Sequence, residues 1–181
     1  MIIKKLLLLD TRISDKLRLR EEQSFLKRIF SLLAHSGDSW YIEIVLFIIW
    51  LLSDGLARTV SAYFAGSVII QALIVIGIKF LIKRERPQGA WGDIYRKTDP
   101  HSFPSGHAAR AFMLAVLSFG FNMPILGVVI LFWGICLSIA RVSLGVHFLI
   151  DIIAGWGIGI LLGILMLSLR PFFFGLFPSV F

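Results

Sequence analysis

The sequence predicts an all-α integral membrane protein: a bundle of about five transmembrane helices preceded by an amphipathic N-terminal interfacial helix. Composition is the first reason. Of 181 residues, 57% are hydrophobic, sixteen are Phe and only 16% are charged, whereas a soluble domain is about a quarter charged. The mean hydropathy is +0.87. A globule this small has no interior able to hide so much apolar surface, so lipid must be part of its solvent. Arrangement is the second reason. Long apolar stretches alternate with short polar ones, and no repeat, low-complexity tract or linker divides the chain. Residues 1–181 therefore read as a single membrane domain, with 1–35 as the amphipathic segment and 36–170 as the bundle.

Within residues 1–35, Leu17, Phe25, Ile29, Leu32 and Leu33 share helical spacing, with Arg18, Arg20, Lys27 and Arg28 between them. That pattern suits a basic helix lying in the membrane interface, and equally a packed helix with a solvated face. The two lysines and four leucines before Asp10 are too short for the apolar core of a signal peptide. Spans are expected from Trp40 to about Leu56, Val60 to Ile82, Ala108 to Phe121, Ile125 to Ala140 and His147 to Leu169. The first is the weakest, because it carries Glu43 and its apolar run is short. The third falls short of the ~20 residues a spanning helix needs, so it should reach beyond the hydrocarbon or be shielded by protein. The last carries Gly155, Gly157, Gly159 and Gly163, which would let neighbouring helices approach closely. The single cysteine, Cys136, sits in an apolar run and reads as packing.

The net charge of +7 gathers in the N-terminal segment and between Lys79 and Arg110. A basic chain can signal nucleic acid, but no soluble domain is there to present such a patch. The anionic lipid bilayer is the expected partner, and no obligate protein partner is evident. Five spans would place the N-terminal segment, residues 83–104 and residues 141–146 on one side. The unusual polar chemistry therefore collects on one face of the membrane.

Three clusters carry that chemistry. In "KFLIKRERP", Lys79 and Arg86 are seven apart and would share a helix face, with Pro87 marking the helix exit. Lys79 lies one turn inside the apolar run, where a charge calls for a buried anion. In "PSGH", Ser105 is placed as a helix N-cap, Gly106 allows close approach of the backbone, and the free N–H groups make an anion site beside His107. In "RVSLGVHFLID", His147 and Asp151 are four apart on one face. A carboxylate on Nδ1 leaves Nε2 as a free lone pair, and Arg141 offers a planar fork for two phosphate oxygens. Each cluster alone is ordinary: a snorkelling helix end, a capped helix start, a structural His–Asp pair. The combination is what carries the argument.

In order, spacing and placement at helix ends, the three stretches resemble the three signature motifs of the type 2 phosphatidic acid phosphatase superfamily, K-x6-RP, PSGH and SR-x5-H-x3-D. The resemblance covers roughly residues 79–151. Lys79, Arg86 and Pro87 supply the first motif, Pro104 to His107 the second, and Arg141, His147 and Asp151 the third. Two features depart: Ala140 stands where the third motif has serine, and the chain has one span fewer than the family's usual six. The resemblance implies a phosphoryl transfer that uses no metal and no cofactor. His147 would be the nucleophile, Asp151 its support and His107 the acid and base. Lys79, Arg86, Ser105, Gly106 and Arg141 would bind phosphate. The implied substrate is a phosphorylated membrane lipid: phosphatidic acid, phosphatidylglycerol phosphate, an undecaprenyl diphosphate or lipid A 1-phosphate.

Other polar residues read more plainly. Lys83, Arg84 and Glu85 are expected to be solvated, His101 to lack a role, and Arg110 to stand where it can assist a phosphate. His35 and Glu43 read as interfacial, and Trp40, Trp91 and Trp156 as membrane anchors. Residues 88–100, with Trp91, Asp93, Tyr95, Arg96 and Lys97, offer a modest surface for a head group. Two rival functions keep much of this pattern: a phosphotransferase passing the group to another lipid, and a non-catalytic lipid transporter, which has no need of the His147–Asp151 pair. Small size suggests a prokaryotic enzyme of the cytoplasmic membrane. Lysine and arginine counts put the site on the cytoplasmic face, whereas the resemblance implies the extracytoplasmic one.

Overall fold

A computed structural model describes residues 2–19, 22–88, 99–178 and 180. Trp91, Asp93, Tyr95, Arg96, Lys97 and Arg20 lie outside the described residues. Among the described residues seven helices follow in order: α1 (Ile2–Leu17), α2 (Ser24–His35), α3 (Ser39–Leu52), α4 (Gly55–Ile82), α5 (Gly106–Gly120), α6 (Pro124–Ser143) and α7 (Leu149–Leu176). Each of the five expected spans contains a helix, with ends shifted by up to seven residues, and the first, Trp40 to about Leu56, runs past the end of α3 into α4. By length and composition, α4, α6 and α7 are fit to cross a membrane, and α2 with α3 passes as one unit bent by 53°.

The short helix α5 is the hub, packed against α6 and α7 and, less extensively, α4. Ala108, Ala109, Ala111, Met113 and Leu117 are fully enclosed, so protein shields this helix where its fifteen residues are too few to match the hydrocarbon. Small residues set the spacing between α5 and α7. A Cβ at Gly159 would stand 2.2 Å from the Ala109 carbonyl oxygen, at Gly155 2.7 Å from that of Ser105, and at Gly163 2.7 Å from Val116 Cβ. Gly157 faces open space, so three of the four expected glycines serve the close approach. Away from the site, Tyr63, Phe64, Leu117 and Phe121 form the apolar core with Met166, and the Tyr63 hydroxyl donates to the Met166 carbonyl.

The N-terminal segment is two helices. Helix α2 packs against α6, and α1 packs against α6 and α7. Helix α1 is inverted relative to a soluble amphipathic helix: Asp10 and Ser14 are buried while Leu6, Leu8, Leu9 and Leu17 are exposed. Its polar stripe faces protein and its leucines face outward, an arrangement suited to lipid on the outer face.

One end of the bundle collects the C-terminal ends of α4 and α6, the N-terminal ends of α5 and α7, and the α2–α3 turn. Hydrogen bonds tie these parts together: Ser105 N to Asp151 O (3.0 Å), Arg86 Nη1 to Val146 O (3.0 Å) and His107 Nε2 to Asp38 Oδ1 (2.7 Å).

Candidate active site

The helix expected to carry Lys79 and Arg86 on one face stops early. Lys83 takes a left-handed conformation (φ 51°) and closes α4. Residues 84–86 then run extended, and Glu85 bridges to His101. Lys79 and Arg86 meet nonetheless, through a carboxylate. Asp99 Oδ2 accepts from Lys79 Nζ (2.5 Å) and Arg86 Nη2 (2.7 Å). The anion that the buried lysine calls for is therefore supplied by the chain itself. Asp99 is 42% exposed at its side chain, so a ligand can displace it.

Ser105 caps α5 as expected, its hydroxyl accepting from Ala108 N (3.4 Å). Gly106 lines the cavity, and its carbonyl accepts from Gln71 Nε2 (3.3 Å). His107 stands in the first turn and donates to Asp38, the N-cap residue of α3. Burial alone would raise the Asp38 carboxyl, but the hydrogen bond and charge of His107, with His35 adding to them, bring it down to about 2.

His147 lies in the turn between α6 and α7 and is 1% exposed. Val146 N (3.1 Å) and His147 N (3.4 Å) both bond to Arg141 O, which fixes the imidazole beside the guanidinium that ends α6. Nε2 faces Arg86 Nη1 at 3.4 Å and Arg141 Nη2 at 3.5 Å. A guanidinium has donors only, so Nε2 presents its lone pair and the ring proton sits on Nδ1. Nδ1 is 3.6 Å from Asp151 Oδ2, too long for the hydrogen bond the spacing of four predicts, because His147 precedes the first residue of α7 and does not share its helical face.

Asp151 is held by more than the sequence suggests. Its Oδ2 accepts from Phe148 N (2.9 Å), the return half of a capping box at the start of α7. Its Oδ1 accepts from Arg84 Nη1 (2.7 Å), and Arg84 Nη2 bonds Asp10 Oδ2 of α1 (2.6 Å). Asp10 Oδ1 and Ser14 Oγ then take the next free N–H groups of α7, those of Ile150 and Leu149 (3.0 Å each). The expectation that Arg84 is solvated is thus wrong. Helix α1 brings a buried carboxylate to its side, and no spacing rule in the sequence ties residue 10 to residue 84.

Ala140 sits fully buried among Ala34, Leu144 and Val146. A hydroxyl there would meet apolar neighbours, which gives the departure from the serine motif a physical reason. Trp156 bridges inward, stacked on Phe112 with ring centroids 5.0 Å apart and bonded to Ser138 Oγ (3.0 Å). His101 offers its carbonyl to Lys79 (2.9 Å) and its ring to the edge of Phe80.

A cavity of about 260 Å³ joins these groups, lined by His107, His147, Lys79, Asp38, Asp99 and Gly106, with Trp40, Ala72, Val75 and Ile76 as its apolar wall. Charged and imidazole side chains thus meet an apolar wall in one cavity.

Residues 60–174 match the model of the PAP2 superfamily. The fold is similar to a crystal structure described as the first transmembrane PAP2 type phosphatidylglycerolphosphate phosphatase from Bacillus subtilis, with a TM-score of 0.70, 21% identity, and coverage of 92% of this chain and 87% of that one. It is also similar to Aquifex aeolicus LpxE, with a TM-score of 0.67, 24% identity, and coverage of 87% and 92%. At these identities the likeness shows the fold. The family match spans well over half of the sequence, and it covers all three motif clusters: the chain belongs to the PAP2 superfamily.

Proposed function

We propose that the protein is a membrane lipid phosphatase that removes a phosphate monoester, or the terminal phosphate of a diphosphate, through a phosphohistidine on His147. The observation that carries this reading is His147 Nε2 set between Arg86 and Arg141, with Asp151 behind the ring. Nε2 attacks phosphorus, an N–P bond forms, and the P–O bond to the lipid breaks. The imidazolium of His107, stabilised by Asp38, gives its proton to the leaving oxygen, while Asp151 offsets the charge on the His147 ring. Water, deprotonated by His107, then attacks phosphorus and breaks the N–P bond. Inorganic phosphate leaves and both histidines are restored. Lys79, Arg86, Arg141, the Ser105 hydroxyl and the Gly106 N–H hold the equatorial oxygens, once Asp99 has yielded its two cations.

The apolar wall beside the cavity supports a lipid whose tail stays among the helices. Phosphatidic acid, phosphatidylglycerol phosphate, an undecaprenyl diphosphate and lipid A 1-phosphate all meet that description. The site is read as facing the extracytoplasmic side of a prokaryotic cytoplasmic membrane. Cysteine labelling within residues 88–100 in intact cells tests the side.

The deciding experiment is phosphate release from these lipids in detergent micelles. His147→Ala and His107→Ala are each expected to abolish turnover in a folded protein, and a chelator to leave the parent's activity intact. Full activity in either variant would overturn the assignment. A phosphorylated acceptor lipid in place of free phosphate would point to the phosphotransferase instead.

A further inference from the structure

The cavity continues past the reacting histidines. Along α4 it is lined by Lys79, Ile76, Val75, Ala72 and Gln71, a run whose ends are separated by about 12 Å of helix rise. Along α5 it is lined by Gly106, His107 and, one turn further in, Arg110. An apolar tunnel would suffice for a lipid tail. This one ends in a guanidinium and an amide.

Arg110 is 5% exposed. Its Nε has no hydrogen-bond partner, and among the described residues no carboxylate forms an ion pair with it. The acidic groups that act on it are Asp38 and Glu43. Asp38 is already engaged, its Oδ1 by His107 and its Oδ2 by His35 (3.1 Å). Glu43 Oε1 is itself buried without a partner, so it does not reach Arg110. Gln71 gives its Nε2 to the Gly106 carbonyl, and its Oε1 is left unbonded. A charge buried this deeply in a membrane protein without a bonded partner marks a substrate contact, because the helix that carries it gains nothing from it otherwise.

Its position says what kind of contact. The transferred phosphoryl group belongs among Lys79, Arg86, Arg141 and His147. His107 stands at the leaving oxygen. Arg110, one turn beyond His107, therefore meets whatever is attached to that oxygen. We propose that Arg110 binds a second phosphate on the leaving side, so that the preferred substrate is a lipid carrying two phosphates in series. The proposal rests on the phosphatase reading and sharpens its substrate class. Two lipids have this chemistry: a prenyl diphosphate, with the second phosphate adjacent, and phosphatidylglycerol phosphate, with it across a glycerol bridge. In both a P–O bond to the transferred phosphorus breaks, an anhydride bond in the first and a phosphomonoester bond in the second, and the second phosphate leaves with the lipid, its charge met by the guanidinium.

The test compares kcat/KM on farnesyl diphosphate, phosphatidylglycerol phosphate and phosphatidic acid in matched micelles, for the parent, Arg110→Met and Arg110→Lys. The parent should prefer at least one two-phosphate lipid over phosphatidic acid. In Arg110→Met that preference should fall about tenfold to a hundredfold, the range expected for losing hydrogen bonds to a charged group, and Arg110→Lys should restore much of it. The lipid whose rate falls identifies the source of the second phosphate. Because a ratio within one protein is read, partial misfolding does not mimic the effect. A parent without preference, equal losses on all three lipids, or an unchanged ratio in Arg110→Met would each overturn the subsite. A parent releasing no phosphate from any of them would sink the phosphatase reading itself, a result distinct from release without preference.

Discussion

Arg84 is the residue whose replacement says most about how the site is built. Arg84→Gln removes two charge-assisted hydrogen bonds, of 2.7 Å to Asp151 and 2.6 Å to Asp10. The two carboxylates it leaves are 0% and 1% exposed at their side chains. Removing one partner of a buried pair costs about 3–5 kcal/mol of stability. Each carboxylate keeps one backbone donor, Phe148 N for Asp151 and Ile150 N for Asp10, which places the expected loss at the lower end of that range. The catalytic effect is separate. Asp151 Oδ2 stands 3.6 Å from His147 Nδ1 with Phe148 N on Oδ2 and Arg84 on Oδ1, and Arg84 supplies the charged half of that hold. On the proposed mechanism, a carboxylate that loses this charged partner offsets less of the charge on the phosphorylated ring. The expected result is a fall in kcat of about a hundredfold with KM within about threefold, since Arg84 touches no part of the substrate. Phosphate release at saturating lipid measures the first, and thermal unfolding in detergent the second. Arg84→Lys should recover part of kcat. An Arg84→Gln enzyme that unfolds earlier but turns over at the parental rate would refute the reasoning and leave Arg84 a structural clamp alone.

Three further outcomes follow from the same geometry. Asp99→Asn removes the carboxylate that bonds Lys79 and Arg86; competitive inhibition by inorganic phosphate should tighten about threefold to tenfold, the modest size reflecting the exposure of Asp99. Asp38→Asn leaves His107 without its charged acceptor, and kcat should fall about tenfold to a hundredfold, in the range of general acid–base effects. Gly159→Ala drives a methyl to within 2.2 Å of a backbone oxygen of α5 and should lower the unfolding temperature by the equivalent of about 1–3 kcal/mol, whereas Gly157→Ala, in open space, should leave it in place.

The sequence was informative where function forces rare residues into fixed spacing. Ser105 and His107 belong to one helix start, so local periodicity predicts their geometry, whereas His147 lies just before α7 and meets Asp151 at 3.6 Å from outside the helix. Lys79 and Arg86 were placed correctly near each other for the wrong reason: a left-handed residue at Lys83 ends the helix, and Asp99 rejoins them. What stayed illegible lies at long range. Asp10, Arg84 and Asp151 are separated by most of the chain, and only the docking of α1 on the start of α7 brings them into one line of hydrogen bonds. The same docking explains why α1 buries its polar stripe and exposes its leucines, a pattern that composition cannot orient because both faces are plausible interiors in a membrane. Asp38 carried a similar silence: as an aspartate before a helix it reads as a cap, yet its side chain reaches His107 across the bundle end. Each of these carboxylates, like Asp99, is acidic in an overwhelmingly basic site. On the proposed mechanism the motif-bearing cations hold the phosphate, and Asp151 of the third motif, with Asp10, Asp38 and Asp99 from outside the motifs, bonds the lysine, arginines and imidazole around it.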